Sequence, residues 1–189
     1  GFSSHLPGCS AAVEQGARLK AAPWAYTAHD FRHYPEATRE AFSRLLGCDA
    51  DCVAIVPSAS YGIAIAARNI AVGPGQNIVL LADQFPSNVY AWRKKASECG
   101  ARIVHARRLD DDCWTDAVLS AIGPDTAIVA VPNCHWADGG LVDLERVADA
   151  ARRVGAALVI DATQSLGALP LDLERVQPDF LVTACYKWM

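Results

Sequence analysis

Short apolar runs recur along this chain with helical stretches between them, and that alternation limits the fold more than any other feature. The runs fall at 52–56 (CVAIV), 77–82 (NIVLLA), 101–105, 126–131 (TAIVAV), 156–160 and 180–184. Each has the length and branched-residue content of a strand buried on both faces, as in a parallel sheet. Between them, 57–71 is Ala- and Ile-rich and opens on serines, 89–100 ends on Gly, and 114–122 and 144–154 carry helical periodicity. Repeated strand–helix–strand units predict an α/β fold, a three-layer sandwich with a mainly parallel sheet between helices.

Before residue 52 the pattern is different. The opening FSSHLPG is polar with Pro and Gly and is expected to be loop, 11–22 a short helix, and the aromatic stretch 24–34 loop. Residues 35–46 place Ala37, Ala41, Phe42, Leu45 and Leu46 on one helical face, closed by Gly47. Composition shifts at 47–51, so the expected organisation is an N-terminal loop and helical segment, 1–46, followed by the α/β domain, 47–189.

Composition narrows the function. A chain of 189 residues can bury one sizeable α/β core, and 52% hydrophobic against 20% charged residues is a globular balance. A net charge of −4 without a basic run argues against nucleic acid as partner. The seven cysteines are scattered, with no CxxC pair or metal-ligand spacing, which predicts reduced thiols in a cytoplasmic protein and no metal site. No apolar run approaches the ~18 residues of a membrane span. The sequence opens at Gly1 and stops two residues after Lys187, so both ends are expected to be cuts in a longer chain.

Chemistry concentrates at strand ends. The run at 156–160 leads into Asp161, and the run at 180–184 is followed by Lys187. In an open α/β sheet both positions face the ligand crevice. A lysine there can form an imine with an aldehyde cofactor, while a carboxylate holds the cofactor's ring nitrogen protonated; pyridoxal phosphate (PLP) needs that pairing. The plainer alternatives are a helix cap for Asp161 and a solvated surface charge for Lys187. Ser58, Ala59 and Ser60 follow an apolar run and open a helix, which makes an anion site or a simple N-cap. Phe85 follows the 77–82 run, as a ring-stacking group or a core residue. Asn133 and His135 follow the 126–131 run; the asparagine can bond a ring substituent or substrate, and the histidine is either an acid–base group or structural. Asp138, Gly139 and Gly140 read as a turn, and Asp110, Asp111 and Asp112 as a solvated loop. Cys185 stands near Lys187 with no sign of a lowered pKa. There is no GxGxxG after a strand, no GxxxxGK[ST] and no GxSxG elbow, so dinucleotide, P-loop and hydrolase-triad readings lack support.

Taken together, Ser58-Ala59-Ser60, Phe85-Pro86-Ser87-Asn88, Asn133, Asp161-Ala162-Thr163-Gln164-Ser165 and Tyr186-Lys187 resemble the class V aminotransferase family. These are fold-type I PLP enzymes that include cysteine desulfurases, kynureninases and isopenicillin N epimerase-like proteins. The resemblance runs from about Leu45 to Met189, and its FP pair is most similar to the kynureninase branch. It implies the aspartate aminotransferase-like large domain of a PLP-dependent transferase, cut before a C-terminal small domain. It further implies that Lys187 carries PLP as an internal aldimine and later moves the Cα proton, and that Asp161 pairs with the pyridinium nitrogen. By the same resemblance Gln164 bonds the phenolic oxygen, Phe85 stacks on the ring, Ser58, Ala59 and Ser60 cradle the phosphate, and Asn133 sits on the ring's oxygen side. The family often has Ser or His just before the lysine; here Ala184 and Tyr186 stand there, leaving Thr183 or Tyr186 to supply a second phosphate hydroxyl. The implied activity is that of an aminotransferase, a desulfurase or other lyase, or a kynureninase-like hydrolase, acting as a homodimer on a small-molecule amino acid or amine. The alternative is a non-catalytic α/β binding module that kept the fold, inactive as a fragment.

Overall fold

The computed structural model of this chain describes residues 7–109 and 113–189. The acidic run Asp110, Asp111, Asp112 and residues 2–6 of the expected FSSHLPG loop lie outside the described residues, while its Pro7 and Gly8 are helical. The chain divides into two compact units, Gly1–Ile55 and Val56–Met189.

The first unit is helical. Helix α1 spans Pro7–Ala21, with none of its residues buried. It begins before the expected residue 11, because a proline already fixed at a helical φ suits the first helical position. Helix α2 spans Ala28–Leu46. This corrects the expectation of loop over 24–34 and of a helix opening at Pro35. The cause is a capping box: Thr27 Oγ1 accepts from the Asp30 N–H at 3.3 Å, and the Thr27 N–H donates to Asp30 Oδ2 at 2.8 Å. Pro35 therefore lies inside the helix, where it removes one backbone hydrogen bond on an exposed face. Gly47, at φ 68°, ends α2 as expected.

The expected strand at 52–56 does not form. Ala50–Cys52 is a single 3-10 turn whose Asp51 N–H donates to Asp49 Oδ1 at 2.9 Å, and the residues after it pair with no strand. Arg39 Nε donates to the Val53 carbonyl at 2.8 Å, and Arg39 Nη2 donates to the Ala50 carbonyl at 2.7 Å.

The second unit is the α/β domain. Its strands are β1 (Asn77–Leu81), β2 (Arg102–Ala106), β3 (Thr126–Pro132), β4 (Ala157–Asp161) and β5 (Phe180–Val182). They form one sheet in the order β2-β1-β3-β4-β5, with every pairing parallel. Helices α3 (Ala59–Asn69) and α4 (Tyr90–Cys99) pack together on one face; α5 (Trp114–Ala121), α6 (Leu144–Val154) and the short α7 (Leu173–Val176) pack on the other. This is the three-layer sandwich read from the sequence, with α7 as an addition: Asp172 caps it, and the Val176 carbonyl accepts from Arg152 Nη1 at 3.0 Å.

Period-two alternation divides the core. Ile78, Leu80, Ile128, Ala130 and Val159 join Ile63, Ala66 and Trp92 in one cluster, all fully buried. Val79, Leu81, Val129, Val131 and Ile160 alternate with them and are equally buried. Burying each large aliphatic side chain contributes about 1.5–3 kcal/mol, which fixes the strand register and hence which residues stand at the strand ends. Gly62 lets α3 approach β5: a Cβ there would lie 2.9 Å from Val182 Cγ1.

Strands β1 and β3 are neighbours, yet the chain leaves β1 toward β2 on one side and later returns to β3 on the other. That reversal is a topological switch point, where the loops leaving the carboxyl ends of the strands diverge and open a crevice.

Candidate functional site

Four segments meet at the carboxyl ends of the strands. The α3 N-terminus contributes Ser58, Ala59 and Ser60; the loop after β1 contributes Phe85 and Ser87; the end of β4 and the turn after it contribute Asp161, Thr163 and Gln164; the segment after β5 contributes Thr183, Ala184, Cys185 and Tyr186. They line one cleft of about 400 Å³. A second cleft, of about 260 Å³, is lined by Asp83, Gln84, Tyr90, Arg93, His105 and Arg107 and includes neither Asp161 nor any residue after β5.

Each side chain is held by local chemistry. Ser58 is the N-cap of α3, its Oγ accepting from the Tyr61 N–H at 3.2 Å. The N–H groups of Ala59 and Ser60 fall in the first turn, where no intrahelical acceptor exists, so they and the helix dipole offer an anion site. Asp161, at the last position of β4, is 6% exposed. Its Oδ1 accepts from the Thr163 N–H at 3.1 Å, and its Oδ2 accepts from Ser87 Oγ at 3.4 Å. Thr163 Oγ1 in turn accepts from the Ala184 N–H at 3.2 Å, fastening the segment after β5 to the turn after β4. Trp188 Nε1 donates to the Gln164 carbonyl at 2.9 Å and adds a second tie.

Lys187 reaches back to the opposite wall. Its Nζ lies 5.8 Å from the centre of the Phe85 ring and 5.9 Å from that of Tyr186, within range of cation–π attraction. Phe85 is 39% exposed, a ring presented to the cleft rather than packed in the core. Cys185 is not activated: loss of water around the thiol raises its pKa.

The structure brings Ser58, Ala59, Ser60, Phe85, Asp161 and Gln164 to the cleft, and Lys187 to the face of Phe85. Asn133 does not line it; its amide donates to the Val142 carbonyl at 3.1 Å. His135 is buried, with Nδ1 3.1 Å from Asp138 Oδ1 and its ring 4.5 Å from that of Trp114. Ser87 and Thr163, matched in the resemblance but given no role in the site, hold the two Asp161 oxygens. The signal available was hydroxyl residues at strand ends, the same class of evidence that singled out Ser58.

The cleft's donor set is suited to a planar, anionic, aldehyde-bearing molecule. It has the first turn of α3 at one end, an aromatic ring in its lining, and a buried carboxylate and a lysine nearby. Thr183 is among the residues that line the same cleft, and its Oγ1 is buried with no hydrogen-bond partner among the described residues.

A parallel α/β domain with its polar groups gathered at the switch-point end of the sheet is the class of protein defined so far. The family model "Aminotransferase class-V" matches residues 21–189, and the chain belongs to that family. It is 27% identical over 154 residues to the uncharacterized aminotransferase YcbU of Bacillus subtilis, covering 82% of this chain and 41% of that protein. It is 29% identical over 119 residues to a probable cysteine desulfurase of Mycoplasma pneumoniae, covering 62% of this chain and 29% of that protein. Among solved structures, a C-DES mutant with glycine covalently linked to its PLP cofactor aligns with a TM-score of 0.80 at 19% identity, over 95% of this chain and 49% of that one. The chain thus spans less than half the length of these relatives.

Proposed function

We propose that this domain binds PLP in the cleft, attached through Lys187, and that it serves a PLP-dependent enzyme acting on an amino acid or amine. When bound, PLP supplies an aldehyde that condenses with amines and a ring that takes up electron density from the substrate. Lys187 Nζ is the amine that attaches the cofactor, and it is the base that moves the proton at the substrate's α-carbon. Asp161, as a buried carboxylate, favours a protonated ring nitrogen by placing the opposite charge beside it. Ser87 and the Thr163 N–H orient that carboxylate. Ser58 and the first-turn N–H groups of Ala59 and Ser60 hold the phosphate, with Thr183 Oγ1 as a further donor. Gln164 bonds the phenolic oxygen. Phe85 covers one face of the ring and excludes water from it.

The observation that carries this reading is the meeting of Lys187 with the Phe85 ring, at 5.8 Å, beside a cleft whose floor holds Asp161. Family membership supports the cofactor class. The reading brings with it a small-molecule amino acid substrate, a homodimer and a cytoplasmic location. Addition of PLP to the chain tests it: a long-wavelength absorbance that the parent develops and Lys187→Ala does not is the expected result. An identical spectrum from both would refute attachment at this residue. A parent that binds PLP without turnover would favour the alternative of a binding module.

A further inference from the structure

We propose that Trp136 is a positioning residue: it clamps the loop after β1 and sets the Phe85 ring at the angle the cofactor meets. The inference rests on the PLP reading above, because it assigns Phe85 a partner rather than a new role.

Trp136 belongs to the loop after β3, and Phe85 to the loop after β1. These are the two loops that part at the switch point. The indole meets Phe85 edge to face, with ring centres 5.5 Å apart and planes at 78°. It also donates from Nε1 to the Asp83 carbonyl at 2.7 Å. Asp83 has φ 51°, one of two non-glycine residues with positive φ among the described residues, a conformation that costs energy and needs outside support. Trp136 therefore grips both the strained corner of the loop and the ring it presents, while half of its own surface stays exposed. A side chain so exposed is not needed to fill the core.

The indole's own anchor is firm. Asp138 accepts from the Gly140 N–H at 2.9 Å and from Trp114 Nε1 at 3.1 Å, and it pairs with Arg108 at 3.0 Å. Asp138 Oδ1 also lies 3.1 Å from His135 Nδ1. This knot makes the loop after β3 a rigid base from which Trp136 reaches across the crevice.

The test compares the parent with Trp136→Leu and Trp136→Phe. Amide hydrogen exchange over residues 83–89, without cofactor, is expected to quicken roughly tenfold in Trp136→Leu, from loss of one hydrogen bond and one aromatic pair. Exchange in β1 and β3 should stay as in the parent. With PLP added, Trp136→Leu should bind several-fold more weakly and give an altered circular dichroism of the bound cofactor. Trp136→Phe, which keeps an aromatic edge, should recover the dichroism while the loop still exchanges faster. Unchanged exchange at 83–89 in Trp136→Leu overturns the clamp, whatever the cofactor does. In Trp136→Leu, faster exchange with parent-like dichroism overturns the positioning of Phe85. Borohydride fixation of PLP on Lys187 of the parent reports separately on the underlying reading; were it absent, the positioning role would fall with it.

Discussion

Lys187 Nζ stands 5.8 Å from the centre of the Phe85 ring, although the two residues leave different strands of the sheet. Phe85 leaves β1 and Lys187 lies beyond β5, with β3 and β4 between those strands. Only the shared direction of a parallel sheet, which gathers all its carboxyl ends on one edge, brings them together. The same edge holds Asp161 and the α3 N-terminus, so the geometry follows from the sheet order rather than from any local motif.

Asp161 should govern cofactor affinity rather than folding. In Asp161→Asn one oxygen still accepts the Thr163 N–H, and the new amide can donate to Ser87 Oγ. Loss of a charge-assisted bond to the ring is expected to weaken PLP binding about tenfold or more. A fluorescence titration checks this beside a thermal melt, in which the variant should resemble the parent. Equal affinity in both proteins would remove the carboxylate from the site.

Gly140 is tested by its smallest replacement. A Cβ at this position would lie 2.5 Å from Trp114 Cδ1 and 2.9 Å from Trp114 Nε1. The indole cannot yield without loosening its bond to Asp138, so Gly140→Ala should cost about 1–3 kcal/mol by overpacking. Urea unfolding measures the loss. A midpoint equal to that of the parent would mean that the loop has room the contact distances deny.

Acid should weaken the loop after β3 through Asp138. Burial pushes its carboxyl up, but the Gly140 N–H, the Trp114 indole N–H, His135 and Arg108 outweigh this and hold it below the usual carboxylate range. A depressed folded value stabilises the fold above the unfolded pKa of about 3.9 and loses that contribution as pH falls through the folded value. The stability difference between the parent and Asp138→Asn should thus be constant above about pH 5 and shrink as pH falls below about 4. A difference that does not change with pH would contradict the assignment.

Much of this architecture was readable in advance because both faces of the sheet are covered. Ile78–Leu81 and Ile128–Val131 are buried without a break, so their sequences had to be apolar throughout. The caps were equally plain: Ser58 opens α3, while Gly47 and Gly100 close α2 and α4 at φ 68° and 70°. The misreadings came from competing local signals. Thr27 and Asp30 form a capping box in front of an aromatic stretch that looked like loop, and Pro35 looked like a helix start while lying within one. The run at 52–56 is apolar enough for a strand, but it pairs with none, and its Val53 carbonyl accepts from Arg39. In the site, the residues with a distinct chemical signature (Asp161, Lys187 and the serines before α3) were legible. Ser87, bonded to Asp161 across 74 residues, and Trp136, bonded to Asp83 across 53, were not. Their partners are set by the order of strands in space, which no local pattern encodes.

The most direct test of the account is the position of covalently fixed cofactor. PLP is added to the chain, the adduct is reduced with borohydride, and the digested protein is mapped by mass spectrometry. The account predicts one dominant modified residue, Lys187, with the label lost in Lys187→Ala. A label spread over the surface lysines, such as Lys94 and Lys95, and unchanged in that variant would contradict it.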